Sequence, residues 1–146
     1  MLKNTSRKKA IHVMLVYSGG CNGCDIEVLN ALLSPYYDLE QYRIMLTWNP
    51  READILVVTG AVTKRMLESL KKIYEAIPKP KAVAQVGSCP ITGCVYANIY
   101  GELGPADHVL APLSDHIPVD ASVPGCPPRP EDIIAGVAAV IPKLLD

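Results

Sequence analysis

No phenylalanine occurs in the 146 residues and tryptophan only once, an absence to which no function attaches. More informative is the lack of any apolar run near the about eighteen residues that a membrane-spanning helix needs. The basic start, with Lys3, Arg7, Lys8 and Lys9, leads into only a short apolar stretch, with no small-residue cleavage site after it. Those features predict a soluble or peripheral, intracellular chain. The formal net charge of -1 gives no ground for a nucleic-acid partner. Residues 1–10 read as a basic, solvated tail, with contact to anionic lipid or an acidic partner as the alternative. No G-x-G-x-x-G is present, and Ser18-Gly19-Gly20 lacks the lysine of a phosphate-binding loop. Nor does any Ser/His/Asp grouping, internal repeat or low-complexity tract stand out.

What is present is cysteine in a telling arrangement. The count is five, an odd number, and a glycine-flanked C-x-x-C without a secretion signal argues for metal or redox chemistry over a disulfide framework. Ser18-Gly19-Gly20-Cys21-Asn22-Gly23-Cys24-Asp25-Ile26-Glu27 joins a glycine-rich loop to an acidic, helix-opening segment. Two further cysteines stand before proline, in Gly87-Ser88-Cys89-Pro90 and in Val123-Pro124-Gly125-Cys126-Pro127-Pro128.

Local patterns place these motifs. Residues 11–17 form a continuous apolar, partly β-branched run that ends in Ser-Gly-Gly, as expected of a strand buried on both faces. Residues 25–33 put Ile26, Leu29, Leu32 and Leu33 on one helical face, closed by Ser34-Pro35. Residues 42–48 and 54–59 are predicted as the second and third strands. Thr63 caps the clearest helix, in which Met66, Leu67, Leu70, Ile73, Tyr74 and Ile77 repeat at amphipathic spacing opposite a charged face. Residues 82–86 make a fourth strand running into Cys89. From 91 to 130, glycine and proline interrupt every pattern except a short strand at 108–110. An irregular stretch of that length is usually functional or held by something besides its own core. The last helix begins at about Pro130 and runs to Leu144; with few polar positions, it is expected to be buried in the domain or against another subunit.

Alternating strands and helices with buried-type strands predict one α/β domain over residues 1–146. Its architecture is a three-layer, flavodoxin-like parallel sheet with an irregular cluster-binding C-terminal third. In such a sheet functional groups gather at the carboxyl ends of the strands, which brings Cys21, Cys24 and Cys89 to one edge. Cys126 can complete a set of four, with intervals of two, sixty-four and thirty-six residues. Four thiolates suit zinc or an iron–sulfur cluster; only one pair here is close, unlike the paired knuckles of structural zinc, and the cluster is favoured. Cys94 is the surplus thiol, read as a small apolar residue or as the rival to Cys89. Glu27 is either an acid favoured by the helix dipole or a proton-handling carboxylate beside a redox centre. His12, His108 and His116 read as structural or exposed.

Together, Ser-Gly-Gly-Cys-Asn-Gly-Cys-Asp-Ile-Glu, Gly-Ser-Cys-Pro and Val-Pro-Gly-Cys-Pro-Pro-Arg-Pro-Glu resemble the small electron-transfer subunit of energy-converting, membrane-bound [NiFe] hydrogenases. That family is related to the subunit of respiratory complex I that carries its terminal cluster. The resemblance covers the chain from about Ile11 to the last helix. It implies one [4Fe–4S] cluster on Cys21, Cys24, Cys89 and Cys126, feeding a separate [NiFe] large subunit for proton reduction. It also implies a ferredoxin-like polyferredoxin subunit, membrane-arm subunits and a peripheral place on the cytoplasmic side of the membrane. Glu27 matches an acidic residue linked to proton transfer between subunits. Complex I relatives have adjacent cysteines in the first motif, whereas Asn22-Gly23 separates them here, which favours the hydrogenase branch. A nickel-free sulfur- or quinone-linked oxidoreductase is the alternative within this architecture, and a zinc-stabilised interaction module the alternative outside it.

Overall fold

The computed structural model of the chain describes residues 10–97 and 108–145. The basic residues of the tail, Lys3 to Lys9, and part of the irregular segment, 98–107, lie outside them.

Strand β1 (Ile11–Tyr17) is apolar at nearly every position because it is central: β2 (Ile44–Leu46) pairs on one side and β3 (Ile55–Thr59) on the other, both parallel. Beyond β3 lie β4 (Ala82–Val86) and β5 (Ala121–Val123), completing the all-parallel order β2-β1-β3-β4-β5. That is the flavodoxin-like arrangement expected from the early strand and its glycine-rich turn. Side chains alternate across the sheet, so β1 serves two cores. Ile11, Val13 and Leu15 pack with Val28 and Leu32 of helix α1 (Gly23–Leu33) and with Ile133, Val137, Val140 and Leu144 of a C-terminal helix (Pro130–Leu145). Met14 and Val16 face Leu70 of helix α2 (Lys64–Ala76), with Ile77, Leu113 and Ile117. Helices on both faces give three layers.

Local signals explain most boundaries. Thr63 is extended and its Oγ1 accepts from the Met66 N–H at 3.3 Å, the expected cap of α2. The Glu68–Lys72 pair spans 2.9 Å on its solvated face. The C-terminal helix buries one stripe, while Ala135, Ala138 and Ala139 are exposed.

Four expectations need correction. The strand predicted over 42–48 is three residues long, since Leu39–Tyr42 is a 3₁₀ turn that Arg43 leaves with left-handed backbone. The strand predicted at 108–110 is a single antiparallel bridge between Val109 and Thr63. Ser88–Thr92, across the start of the supposedly irregular stretch, is a short helix, here α3, and β5, inside that stretch, was not foreseen at all. The C-terminal helix is therefore α4. Finally, α1 starts at Gly23, two residues early, because Asn22 takes a left-handed conformation that asparagine tolerates and turns the chain into the helix.

Candidate metal centre

The carboxyl ends of β1, β3, β4 and β5 carry the loops that build the site, and hydrogen bonds fasten them in pairs. Ser18, 2% exposed, donates from its Oγ to the carbonyls of Thr59 at 2.7 Å and Gly60 at 2.9 Å, tying the loop after β1 to the end of β3. Tyr17 Oη donates to the Gly20 carbonyl at 2.5 Å, which closes the glycine turn. On the other side, the Ser88 N–H reaches the Gly125 carbonyl at 2.7 Å, and the Ser88 hydroxyl both donates to that carbonyl and accepts from the Gly125 N–H. The segments bearing Cys89 and Cys126, thirty-seven residues apart at Ser88 and Gly125, are thereby held together.

This brings the predicted cysteines into one group. Cys24 and Cys94 are half-buried, Cys89 buried, and Cys21 and Cys126 exposed. Burial first, and then the neighbouring Cys89, Cys126, Cys21 and Asp25, push the Cys24 thiol up to about 12. Burial, then Cys94, Cys126 and Cys21, push Cys89 up to about 11. Cys126 is raised by Cys94 first, then by burial and Cys21. Each member of Cys21, Cys24, Cys89 and Cys126 is thus within electrostatic reach of the other three. Cys94 is felt by, and hydrogen-bonded to, Cys89 and Cys126. Crowded thiols of this kind resist ionising in water but lose protons readily to a bound cation.

Sequence had placed Cys89 on an open loop. It stands instead in the first turn of α3, where Pro90 is harmless because its missing N–H has no helical partner yet. Glu27 is half-buried in the second turn of α1, so the helix-dipole reading passes to Asp25, the acid in the first turn. The Tyr37 hydroxyl, raised mainly by its 2.8 Å bond to Glu131, also feels Glu27. A small cleft opens against Cys21, Cys24 and Cys89, and its described lining includes Tyr17, Asp25 and Thr59 but not Glu27. Tyr96 lies on the same side, its hydroxyl raised by burial and then by Cys21, Cys89, Tyr17 and Cys126. Sequence reasoning singled out neither tyrosine nor Thr59, since only the folded sheet brings them to the thiols. His12 and His116 contact Asp54 and the Leu110 carbonyl, and no described histidine lines the cleft.

The family described as NADH ubiquinone oxidoreductase, 20 Kd subunit, matches residues 21–140, from the first of these cysteines to the C-terminal helix. The chain belongs to that family. A Methanocaldococcus jannaschii protein described as uncharacterized is 64% identical over 146 residues, covering 100% of this chain and 97% of its own. The probable membrane-bound hydrogenase subunit mbhJ of Pyrococcus furiosus is 48% identical over 132 residues, covering 90% of this chain and 74% of that protein. A solved structure of the membrane-bound sulfane sulfur reductase, an archaeal respiratory membrane complex, superposes with a TM-score of 0.78. At 34% identity, it covers 99% of this chain and 75% of that one. This 20 kDa subunit family is therefore one of oxidoreductase subunits that work within multisubunit membrane complexes. No helix among the described residues of this member is long and apolar enough to cross a membrane.

An iron–sulfur cluster is the group the family implies, and the residues present fit it. The donor set is thiol throughout, and Gly87 (φ +96°) packs so closely that a Cβ there would collide with Cys24 Sγ. The site thus admits a sulfur ligand against bare backbone.

Proposed function

We propose that this chain is the electron-transfer subunit of a membrane-bound, energy-converting [NiFe] hydrogenase. In this reading it is a single iron–sulfur domain that holds the proximal [4Fe–4S] cluster on Cys21, Cys24, Cys89 and Cys126. The observation that supports the reading is the gathering of these cysteines from the ends of three strands, Cys21, Cys24 and Cys89 lining one cleft and Cys126 within electrostatic reach of them. When bound, the cluster accepts and releases one electron. The chain's own part is to hold it at the sheet edge, exclude water on the Cys89 side and leave the Cys21 and Cys126 side open to a partner.

Such a site catalyses nothing alone. It needs a large subunit with the nickel–iron centre within tunnelling reach, a polyferredoxin-type donor and membrane-arm subunits, with this chain peripheral on the cytoplasmic side. A specific observation favours a second reading. The superposition on a sulfane sulfur reductase complex supports an equivalent subunit of a sulfur-linked enzyme without nickel. Nickel content of the purified complex separates the two.

Against a zinc module stands the spacing of the ligands: only Cys21 and Cys24 form a close pair, while Cys89 and Cys126 stand singly at remote positions. The full chain reconstituted with iron and sulfide is expected to bind about four irons and absorb broadly near about 400 nm. A colourless protein with one zinc overturns the assignment.

Within the same reading Glu27 passes protons between this subunit and the large one. Glu27→Gln is expected to leave the EPR signal of the reduced cluster intact while slowing turnover of the complex by about 10²-fold or more. Unchanged turnover returns Glu27 to a structural role on α1.

A further inference from the structure

The side chain immediately after Cys24 has a partner that nothing in its own stretch of sequence predicts. Thr59, fully buried at the end of β3, donates its hydroxyl to Asp25 Oδ1, thirty-four residues away. Both residues line the cleft against the cysteines. An acid in the first turn of an exposed helix is ordinarily free to swing into solvent; here a buried donor on the rigid central sheet holds it.

We propose that Asp25 is a positioning residue for the redox centre, locked by Thr59 so that a fixed negative charge stands beside Cys24 and lowers the cluster's reduction potential. This inference rests on the cluster reading above. A fixed anion disfavours the added electron, and it offsets the positive end of α1, which by itself would favour reduction. Thr59 acts through Asp25: removing its hydroxyl frees the carboxylate to move towards water, where screening weakens its field.

The test is an EPR-monitored potentiometric titration of the full chain reconstituted with iron and sulfide. Asp25→Asn is expected to raise the equilibrium constant for one-electron reduction about tenfold, a midpoint shift of about +59 mV. Thr59→Val, which keeps the β-branched shape, shifts the potential in the same direction, and Thr59→Ser restores the wild-type value. An intact EPR signal at an unshifted potential in Asp25→Asn overturns the proposal. Where that variant holds no cluster, the Thr59 pair decides. A raised potential in Thr59→Val with a wild-type value in Thr59→Ser upholds the proposal, and equal potentials or cluster loss in Thr59→Ser overturn it. A wild-type chain that takes up no cluster overturns the functional assignment itself, and is told apart from a failure here by the missing EPR signal before any variant is compared.

Discussion

Cys126→Ser is expected to reduce iron in the reconstituted chain from about four atoms to background and to abolish the absorption near about 400 nm. The loop bearing Cys126 is fastened to Ser88 by reciprocal bonds with Gly125, so the serine variant keeps the loop in place and changes only the ligand atom. A serine hydroxyl ionises far less readily than a thiol and is a harder donor, poorly matched to iron–sulfur chemistry. Cys94 is the one thiol able to substitute, because it touches both Cys89 and Cys126. The main influences on the Cys24 thiol are burial, Cys89, Cys126 and Cys21. Cys94→Ser is accordingly expected to retain iron and colour. The reverse pair of results, iron kept without Cys126 and lost without Cys94, would reassign the fourth ligand to Cys94.

Gly87→Ala is expected to damage the site without touching a ligand. Gly87 has φ +96°, and a Cβ there meets Cys24 Sγ and approaches the Gly125 carbonyl at 3.6 Å. Two costs add. Holding alanine in a sparsely populated backbone region costs about 1–3 kcal/mol, and the methyl must also displace either Cys24 or the loop carrying Cys126. Thermal unfolding of the unloaded chain should occur several degrees lower, and iron uptake should fall in parallel. A variant with wild-type uptake and unfolding temperature would show that β4 and α3 can shift to absorb the methyl. The sulfur would then not be pressed against this backbone.

Much of the architecture was legible because its causes are local. A run such as Ile-His-Val-Met-Leu-Val-Tyr before Ser-Gly-Gly is a buried strand in almost any context. Thr63 followed by apolar residues at helical spacing carries its own start signal, and Pro130 marks the next helix. Strand β5 was not legible. At three residues it has no measurable period, and it exists because the far edge of β4 offers unpaired backbone groups, with Ala84, Gln85 and Val86 pairing to Ala121, Ser122 and Val123. That edge pairing also explains how the loop before α4 reaches the site: β5 delivers Cys126 to the strand ends beside Cys89.

The sequence by itself determined the chemistry on offer: four cysteines in glycine- and proline-bounded turns, a chain able to alternate strands and helices, and an acid on either side of Ile26. Residue type and near-neighbour spacing suffice for that, since a thiol's affinity for soft metals and a turn's need for glycine are properties of a few adjacent residues. Tertiary structure alone decided which groups share a space. It placed Asp25 rather than Glu27 against the cleft, gave Asp25 the buried Thr59 as its partner, and set Cys94 beside Cys89 and Cys126. The physical reason is that parallel pairing converts register into proximity. Tyr17 stands beside Thr59 and Thr59 beside Val86 across three adjacent strands, so loops dozens of residues apart emerge at one edge, an adjacency that the linear order of residues does not carry.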